Sequence, residues 1–308
     1  MSYSFISIVI PVRNESDRLI GTIKSIMENS VTACEKEFII VDDASDDPFY
    51  EKMVDEVSEV CVKVFRLNEH VGIPRARNYG VSMAQGDIVF ITDAHVHFSK
   101  GWDSFVLNNI EDNKIIAATI CDPKSNFKGY GSHLVVPFVG IRWNQKLDVD
   151  RSPFVQIASS AGTVLTKKLF ERIGGYDQGM MIYGGDEPEF SIRAWLSGAE
   201  IVSAPSLQVN HRFKTIEEVS TFLKGLGANL IHNNLRFGLL YLSEPACLQM
   251  IRYFAMLYPK RIQEAVKLLQ KSDVWDRRAQ LNESLIYDFK WFVRHFKVKD
   301  QINQEIFF

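Results

Sequence analysis

The sequence predicts an α/β fold, and three observations carry the prediction. Short β-branched apolar runs recur along the first hundred residues. Each early run leads into a polar loop and then an amphipathic stretch. The fourth run, Asp87-Ile-Val-Phe-Ile-Thr92, is apolar at every central position, as a strand covered on both faces requires. Strands alternating with helices build one sheet joined by right-handed crossovers.

The first unit is a strand at Phe5 to Ile10, a loop at Arg13 to Ser16 and a helix from Arg18 to Met27. The second is a strand at Glu37 to Val41, an acidic loop from Asp42 to Pro48 and a helix from Phe49 to Val60. The third runs from a strand at Val62 to Leu67 through the loop Asn68 to Pro74 into a helix at Arg75 to Ala84. After Trp102 the pattern loosens. A strand-like run covers His133 to Val139, Ser159 to Leu165 leads to a helix at Lys167 to Ile173, and another helix has its body at Phe190 to Leu196. From Thr215 onward the spacing is helical throughout. We therefore expect a sheet-bearing domain over residues 1–214 and a helical region over residues 215–308.

At about 150 residues per domain, 308 residues allow one large domain or two ordinary ones. Hydrophobic residues at 46% and charged residues at 24% exclude disordered, collagen-like and small disulfide-stapled chains. The balance of 35 basic against 38 acidic residues argues against nucleic acid as a partner. Cys34, Cys61, Cys121 and Cys247 lie far apart without a CxxC pair, so free thiols in a reducing compartment are expected. No apolar run reaches the roughly 18 residues of a membrane span, and the N-terminus reads as a strand. The expected location is cytoplasmic.

In such sheets ligands bind beyond the carboxyl ends of the strands. Asp93-Ala94-His95 follows the fourth strand directly, and an extended backbone would point both side chains the same way. A carboxylate and an imidazole suit a divalent metal such as Mn²⁺. A strand-closing acid and a surface histidine are the plain alternative, with His97 complicating the count. Gly184-Gly185-Asp186-Glu187-Pro188-Glu189 sets three acids at a helix mouth. The macrodipole favours acids there, while the glycines allow close approach of a ligand and a carboxylate could act as a base. His211, in Val209-x-His211-x-Phe213, gains weight only through partners.

Taken together, Ile8-Val-Ile-Pro-Val-Arg-Asn-Glu15, Val41-Asp-Asp-Ala-Ser45, Gly72-x-x-Arg-Ala-Arg77-Asn78 and Gly86-Asp-Ile-Val-Phe-Ile-Thr-Asp93 resemble family 2 glycosyltransferases of the GT-A fold. More narrowly, Asp93-Ala-His95, Gly175-Tyr-Asp-x-Gly-Met-x-Ile-Tyr-Gly-Gly-x-x-x-Glu189, Ser191-x-Arg193-x-Trp195 and Val209-x-His211-x-Phe213 resemble polypeptide N-acetylgalactosaminyltransferases. The resemblance covers about residues 5–214. It implies a Rossmann-like nucleotide-diphospho-sugar transferase with a mixed sheet, helices on both faces and a C-terminal helical extension. The membrane anchor and lectin module of the family's secreted members are not found in these residues.

Carried over residue by residue, the resemblance implies Asp93, His95 and His211 as ligands of Mn²⁺ or Mg²⁺. Pro11 and Glu15 would line the nucleoside pocket of a UDP-sugar, with Asp43 accepting from the uracil ring. Arg77 would meet the pyrophosphate and His70 another part of the nucleotide. Ala161 and Gly162 would floor the donor sugar, and Asp186 would hold its hydroxyls. Glu187 stands where inverting family 2 enzymes place the base, whereas the retaining peptide transferases carry asparagine. The expected reaction is transfer, with inversion, to a peptide hydroxyl or thiol. A saccharide or lipid-linked acceptor is the alternative, and a nucleotidyltransferase or a non-catalytic nucleotide-sugar binder is more remote. For the tail, an accessory layer or homo-oligomer contact, an acceptor cradle and peripheral contact with an anionic membrane all stay open.

Overall fold

A computed structural model describes residues 3–46, 57, 60–136, 139–147 and 152–299. The expected helix at Phe49 to Val60 lies outside the described residues, apart from Val57 and Val60.

The chain runs β1 (Phe5–Val12), α1 (Ser16–Glu28), β2 (Glu35–Asp42), β3 (Cys61–Arg66), α2 (Ile73–Met83), β4 (Ile88–Ile91), β5 (Val96–Phe98), α3 (Trp102–Asn109) and β6 (Lys114–Cys121). There follow β7 (Lys128–Tyr130), β8 (Ser132–Val135), β9 (Gly140–Trp143), a 3₁₀ turn (Ser160–Gly162), β10 (Thr163–Thr166), α4 (Lys167–Ile173), α5 (Asp186–Leu196) and β11 (Glu200–His211). The rest is helical: α6 (Ile216–Gly225), α7 (Asn229–Tyr241), α8 (Glu244–Leu257), α9 (Pro259–Gln270), α10 (Val274–Ser284) and α11 (Phe289–Phe296).

The main sheet has the order β3-β2-β1-β4-β10-β6-β11-β5, with β7 on β6, while β8 and β9 form a separate hairpin. Strands β3, β2, β1 and β4 are parallel, and β10 enters antiparallel between β4 and β6. Strands β6 and β11 are parallel to each other, and β5 closes the edge antiparallel to β11. The sheet is thus mixed. Its members β5, β6, β7, β10 and most of β11 arise where the sequence reading gave no strand.

Period-two alternation sorts the strand residues onto two cores. Ile6, Ile8 and Ile10 of β1, with Phe38, Ile40 and Phe90, face α1 and α3 through Leu19, Ile23 and Trp102. Val9, Ile39, Val89 and Ile91 face the other way, against Ala76 of α2 and Phe170 of α4. That second core continues through Phe190 and Trp195 of α5 into Leu235 and Phe237 of α7 and Phe292 and Phe296 of α11. The helical region therefore shares one apolar core with the sheet. No helix among the described residues is long and apolar enough to cross a membrane.

The crossovers bring Glu15, Asp43, the turn at residues 93–95, the 3₁₀ turn and His211 to one edge of the sheet. A backbone contact fixes that edge: Gly72 bridges Ile182, and the Ile73 N–H donates to the Ile182 carbonyl at 2.8 Å. Gly72 has φ of 89°, and a Cβ there would stand 2.2 Å from Ile182 Cα. Gly21, inside α1, has nothing within 4 Å of such a Cβ. Gly72→Ala should therefore lower the unfolding free energy by roughly 2–5 kcal/mol. Gly21→Ala should raise it by about 0.5–1 kcal/mol. Urea unfolding of both variants checks this, and effects of the same sign would refute it.

Candidate active site

Asp93, His95 and His211 each offer a ligand atom within 4.8 Å of one another. The two imidazole Nε2 atoms are 3.1 Å apart, and His211 Nε2 is 3.3 Å from Asp93 Oδ2. Asp93 and His95 meet through a turn at residues 94–95, because the backbone bends into β5, and not through the extended geometry expected. His211 ends β11, its register partner being Val96, and its ring packs edge-on to Phe213 at 4.7 Å. His97 is exposed on β5 and outside this group.

Two imidazole nitrogens facing each other beside one carboxylate, with no thiolate, form a donor set that fits Mn²⁺ better than structural zinc and better than Mg²⁺, which prefers oxygen ligands. Among the described residues the buried His211 Nδ1 makes no hydrogen bond, and the buried His95 Nδ1 has only the longer contact to Glu15. His95 Nδ1 is 3.3 Å from Glu15 Oε2, so Glu15 stands beside the metal-type cluster as well as at the end of β1. Burial would raise the Glu15 carboxyl, but His95 and Arg18 hold it down to about 2. Burial likewise opposes charge on Asp93, yet His211 and Arg77 keep it well below the usual carboxylate range.

Arg77, on α2, is buried in the middle of the acids. Its Nη1 donates to Asp186 Oδ2 at 2.9 Å, its Nη2 donates to Ser160 Oγ at 2.6 Å, and Asp93 Oδ1 is 3.6 Å away. Its guanidinium lies 5.2 Å from the centre of the Tyr176 ring. Burial works against the charge, but Tyr176 and the carboxylates of Asp186, Asp93 and Glu187 hold it protonated far above neutral pH.

The helix α5 begins at Asp186, four residues before the apolar body marks it, so all three acids occupy its first turn. Their environments differ. Asp186 pairs with Arg77 and accepts from the Gly184 N–H at 3.0 Å. Glu189 turns inward to Arg193 at 2.7 Å and accepts from the Tyr241 hydroxyl at 2.6 Å, which makes it structural. Glu187 accepts from the Ser160 N–H at 3.0 Å and from the Ser160 hydroxyl. Burial and the neighbouring Asp186 push the Glu187 carboxyl up, against Arg77 and Ser160.

On the nucleotide-expected side, buried Asp43 accepts from the N–H groups of Val71 and Gly72 at 2.7 and 2.9 Å, and its Oδ2 is 2.8 Å from His70 Nδ1. Its oxygens hold the loop of residues 70–72. Pro11 is buried in β1 opposite Val41. The Ala161 carbonyl accepts from Thr92 Oγ1 at 2.7 Å, and a Cβ at Gly162 would stand 2.6 Å from Ala118 Cβ, so this turn packs tightly on β6.

Two contributors carry no sequence signal. Ser160 joins Arg77 to Glu187, one residue before the expected Ala161-Gly162 pair. Asn233 of α7 accepts from the Met181 N–H at 2.8 Å and donates to the carbonyls of Met181 and Gly184 at 2.7 and 2.8 Å. It thereby fixes the loop that leads into Asp186 and Glu187. A lone asparagine on a helix announces nothing of this kind.

Residues 7–174, more than half of the chain, match the model of glycosyl transferase family 2. Residues 151–219 match the N-terminal domain of galactosyltransferase. Polypeptide N-acetylgalactosaminyltransferase 3 of Drosophila melanogaster is 28% identical over 94% of this chain and 45% of its own length. The mouse polypeptide N-acetylgalactosaminyltransferase 12 is 27% identical over 93% and 50%. The chain thus spans about half the length of these curated relatives, and the likeness runs past residue 214 into the helical region. A crystal structure of GalNAc-T7 with UDP, GalNAc and Mn²⁺ shares the fold, with TM-score 0.74 and 19% identity over 96% of this chain and 57% of that one. The extent of the family match, over strands whose ends gather the acids and histidines, shows that the chain belongs to glycosyl transferase family 2.

Proposed function

We propose that this protein transfers a sugar from a UDP-sugar to a peptide hydroxyl or thiol, with inversion, using a divalent cation held by Asp93, His95 and His211. The observation that carries the reading is the separation of duties along one sheet edge. A carboxylate–imidazole cluster and a carboxylate of raised pKa are joined through Arg77 and Ser160. The peptide acceptor is suggested by the relatives' names, which are polypeptide N-acetylgalactosaminyltransferases.

A cation at that cluster would supply Lewis-acid neutralisation of the departing diphosphate. Pro11, Glu15, Asp43 and His70 would position the nucleoside, and Ala161 and Gly162 would lie under the sugar. Asp186, fixed by Arg77, would accept from sugar hydroxyls. Glu187 would take the proton from the acceptor hydroxyl as that oxygen bonds to the anomeric carbon and the bond to UDP breaks. A carboxyl pushed upward is a stronger base than an ordinary one. It must nevertheless be ionised, so activity rises as pH climbs through its pKa.

A screen of UDP-glucose, UDP-galactose and their N-acetyl forms with Mn²⁺, read by UDP release and by mass spectrometry of peptides, tests the reading; labelling of glycans or lipids alone would overturn the peptide acceptor. Mn²⁺ should raise the melting temperature and EDTA should reverse the rise, as expected for a ligand bound only by the folded state. Asp93→Asn or His211→Ala should weaken Mn²⁺ binding at least about tenfold by electron paramagnetic resonance. Unchanged affinity in both would remove these residues from the metal site.

Glu187→Gln should lower kcat by about 10²–10⁴-fold. The acid limb of the wild-type profile should lie above the ordinary carboxylate value of 4.5. Ser160 lowers the Glu187 pKa by hydrogen bonding to its charged form, so Ser160→Ala should move that limb to higher pH. A limb that stays put or moves to lower pH would exclude Glu187 as the titrating base.

A further inference from the structure

From the Glu187 end of the site a cavity of about 380 Å³ runs beneath the C-terminal helices. Arg77, Ser160, Asp186 and Glu187 line its inner end. Beyond them the wall is largely hydrocarbon: Ile141 of β9, Leu223 of α6, Leu230 and Ile231 of α7, and Phe254 of α8. Tyr183 and Tyr258 flank it and are partly exposed. Tyr183 is braced edge-on by Phe222 of α6 at 4.8 Å between ring centres.

Among the described residues, polar side chains in this outer part are few. The Asn234 amide accepts from the Val139 N–H and donates to the Leu230 carbonyl at 2.7 Å. Arg261 reaches the Lys224 carbonyl at 3.4 Å. Among the described side chains of this part, the hydroxyls of Tyr183, Tyr253 and Tyr258 add to these. A saccharide buried here would leave most of its hydroxyls unpaired, which is unfavourable in a desolvated site. An apolar body would instead gain from leaving water. Since a cavity of about 150 Å³ holds one benzene, there is room for roughly two such rings, whereas a long polyprenyl chain would not be enclosed.

We propose that the acceptor is a peptide in which the reacting hydroxyl stands beside one or two aromatic or large aliphatic side chains, and that these side chains fill this cavity. The inference rests on the transferase reading above and refines its acceptor. The C-terminal helices then select the substrate, and the sheet edge activates it.

The test uses the full chain with the four UDP-sugars, Mn²⁺ and three acceptor sets. These are ten-residue peptides with a central serine flanked by Phe and Leu, the same peptides flanked by Gly and Asn, and a panel of disaccharides and polyprenyl phosphate. Transfer to the Phe- and Leu-flanked peptides should exceed transfer to the polar-flanked ones by about tenfold to a hundredfold in kcat/KM, mainly through KM. Leu223→Asp, on partly exposed α6, should cut that preference at least tenfold while a circular-dichroism melt shows the fold retained; Tyr258→Ser is a second variant should the first fail to fold. Equal use of both peptide sets would overturn the apolar-flank proposal and leave the peptide-transferase reading standing, whereas preference for disaccharide or polyprenyl phosphate, or UDP release without transfer to any peptide, would overturn the peptide acceptor along with it. Absence of metal-dependent UDP-sugar binding and turnover would overturn both.

Discussion

One buried cation organises the site. The Arg77 guanidinium, out of water on α2, contacts Asp186 and Ser160 and approaches Asp93. Three elements far apart in sequence thereby meet at one charge: the β4–β5 turn, the 3₁₀ turn before β10 and the start of α5. Without Arg77, Asp93 and Asp186 would be like charges in a partly desolvated cleft. Removing one partner of a buried pair typically costs about 3–5 kcal/mol, because the other is left unpaired. The same guanidinium lowers the Glu187 pKa, opposing burial and Asp186. Arg77 therefore places Asp186 and Ser160 and favours the charged forms of Asp93 and Glu187.

The second constraint comes from the C-terminal helices. On α7, Asn233 and Arg236 grip the segment between α4 and α5. Arg236 makes a two-point pair with Asp177 at 2.7 and 2.9 Å and also reaches Asp273. The packing is close enough that a Cβ at Gly179 would fall on the Arg236 guanidinium. Within the gripped segment Ile182 has φ of 44°, an unfavourable conformation for a β-branched residue, and Gly72 presses against it. Such a conformation persists only where its surroundings over-determine it. Here α7 does so from one side and the Asp43-held loop from the other, so the acids are positioned by helices as well as by the sheet.

These dependencies explain what could be read from the residues alone. β1, β2 and β4 were legible because each is a short apolar run followed by a loop with a job. β6 is apolar over nearly its whole length, Ile115 to Cys121, and nothing in its period separates it from a buried helix. β11 was hidden by Pro205 and by a shift in register between Ala204 and Gln208. Asp93 and His95 stood out as chemistry, but their meeting depends on a turn that alternation does not encode. Glu15 next to His95, Ser160 between Arg77 and Glu187, and Asn233 beneath the loop are products of tertiary packing. Each is a single polar residue in an ordinary setting, and only the fold reveals its partners.

The adjacent carboxylates of Asp186 and Glu187 illustrate how the fold assigns different work to like groups. They share a helix turn and its macrodipole, so position in the sequence does not separate them. What separates them is the partner each meets. Asp186 accepts from the Arg77 guanidinium and from the Gly184 N–H, which fix its two oxygens in place. Among the described residues Glu187 accepts hydrogen bonds from the Ser160 hydroxyl and N–H, and burial with the repelling Asp186 outweighs the pull of Arg77 and Ser160. Environments that differ in this way are how a fold can separate the work of neighbouring acids. Glu187 also lines the apolar cavity, so the carboxylate proposed as the base stands at the boundary between the charged sheet edge and the hydrocarbon surface of the helices.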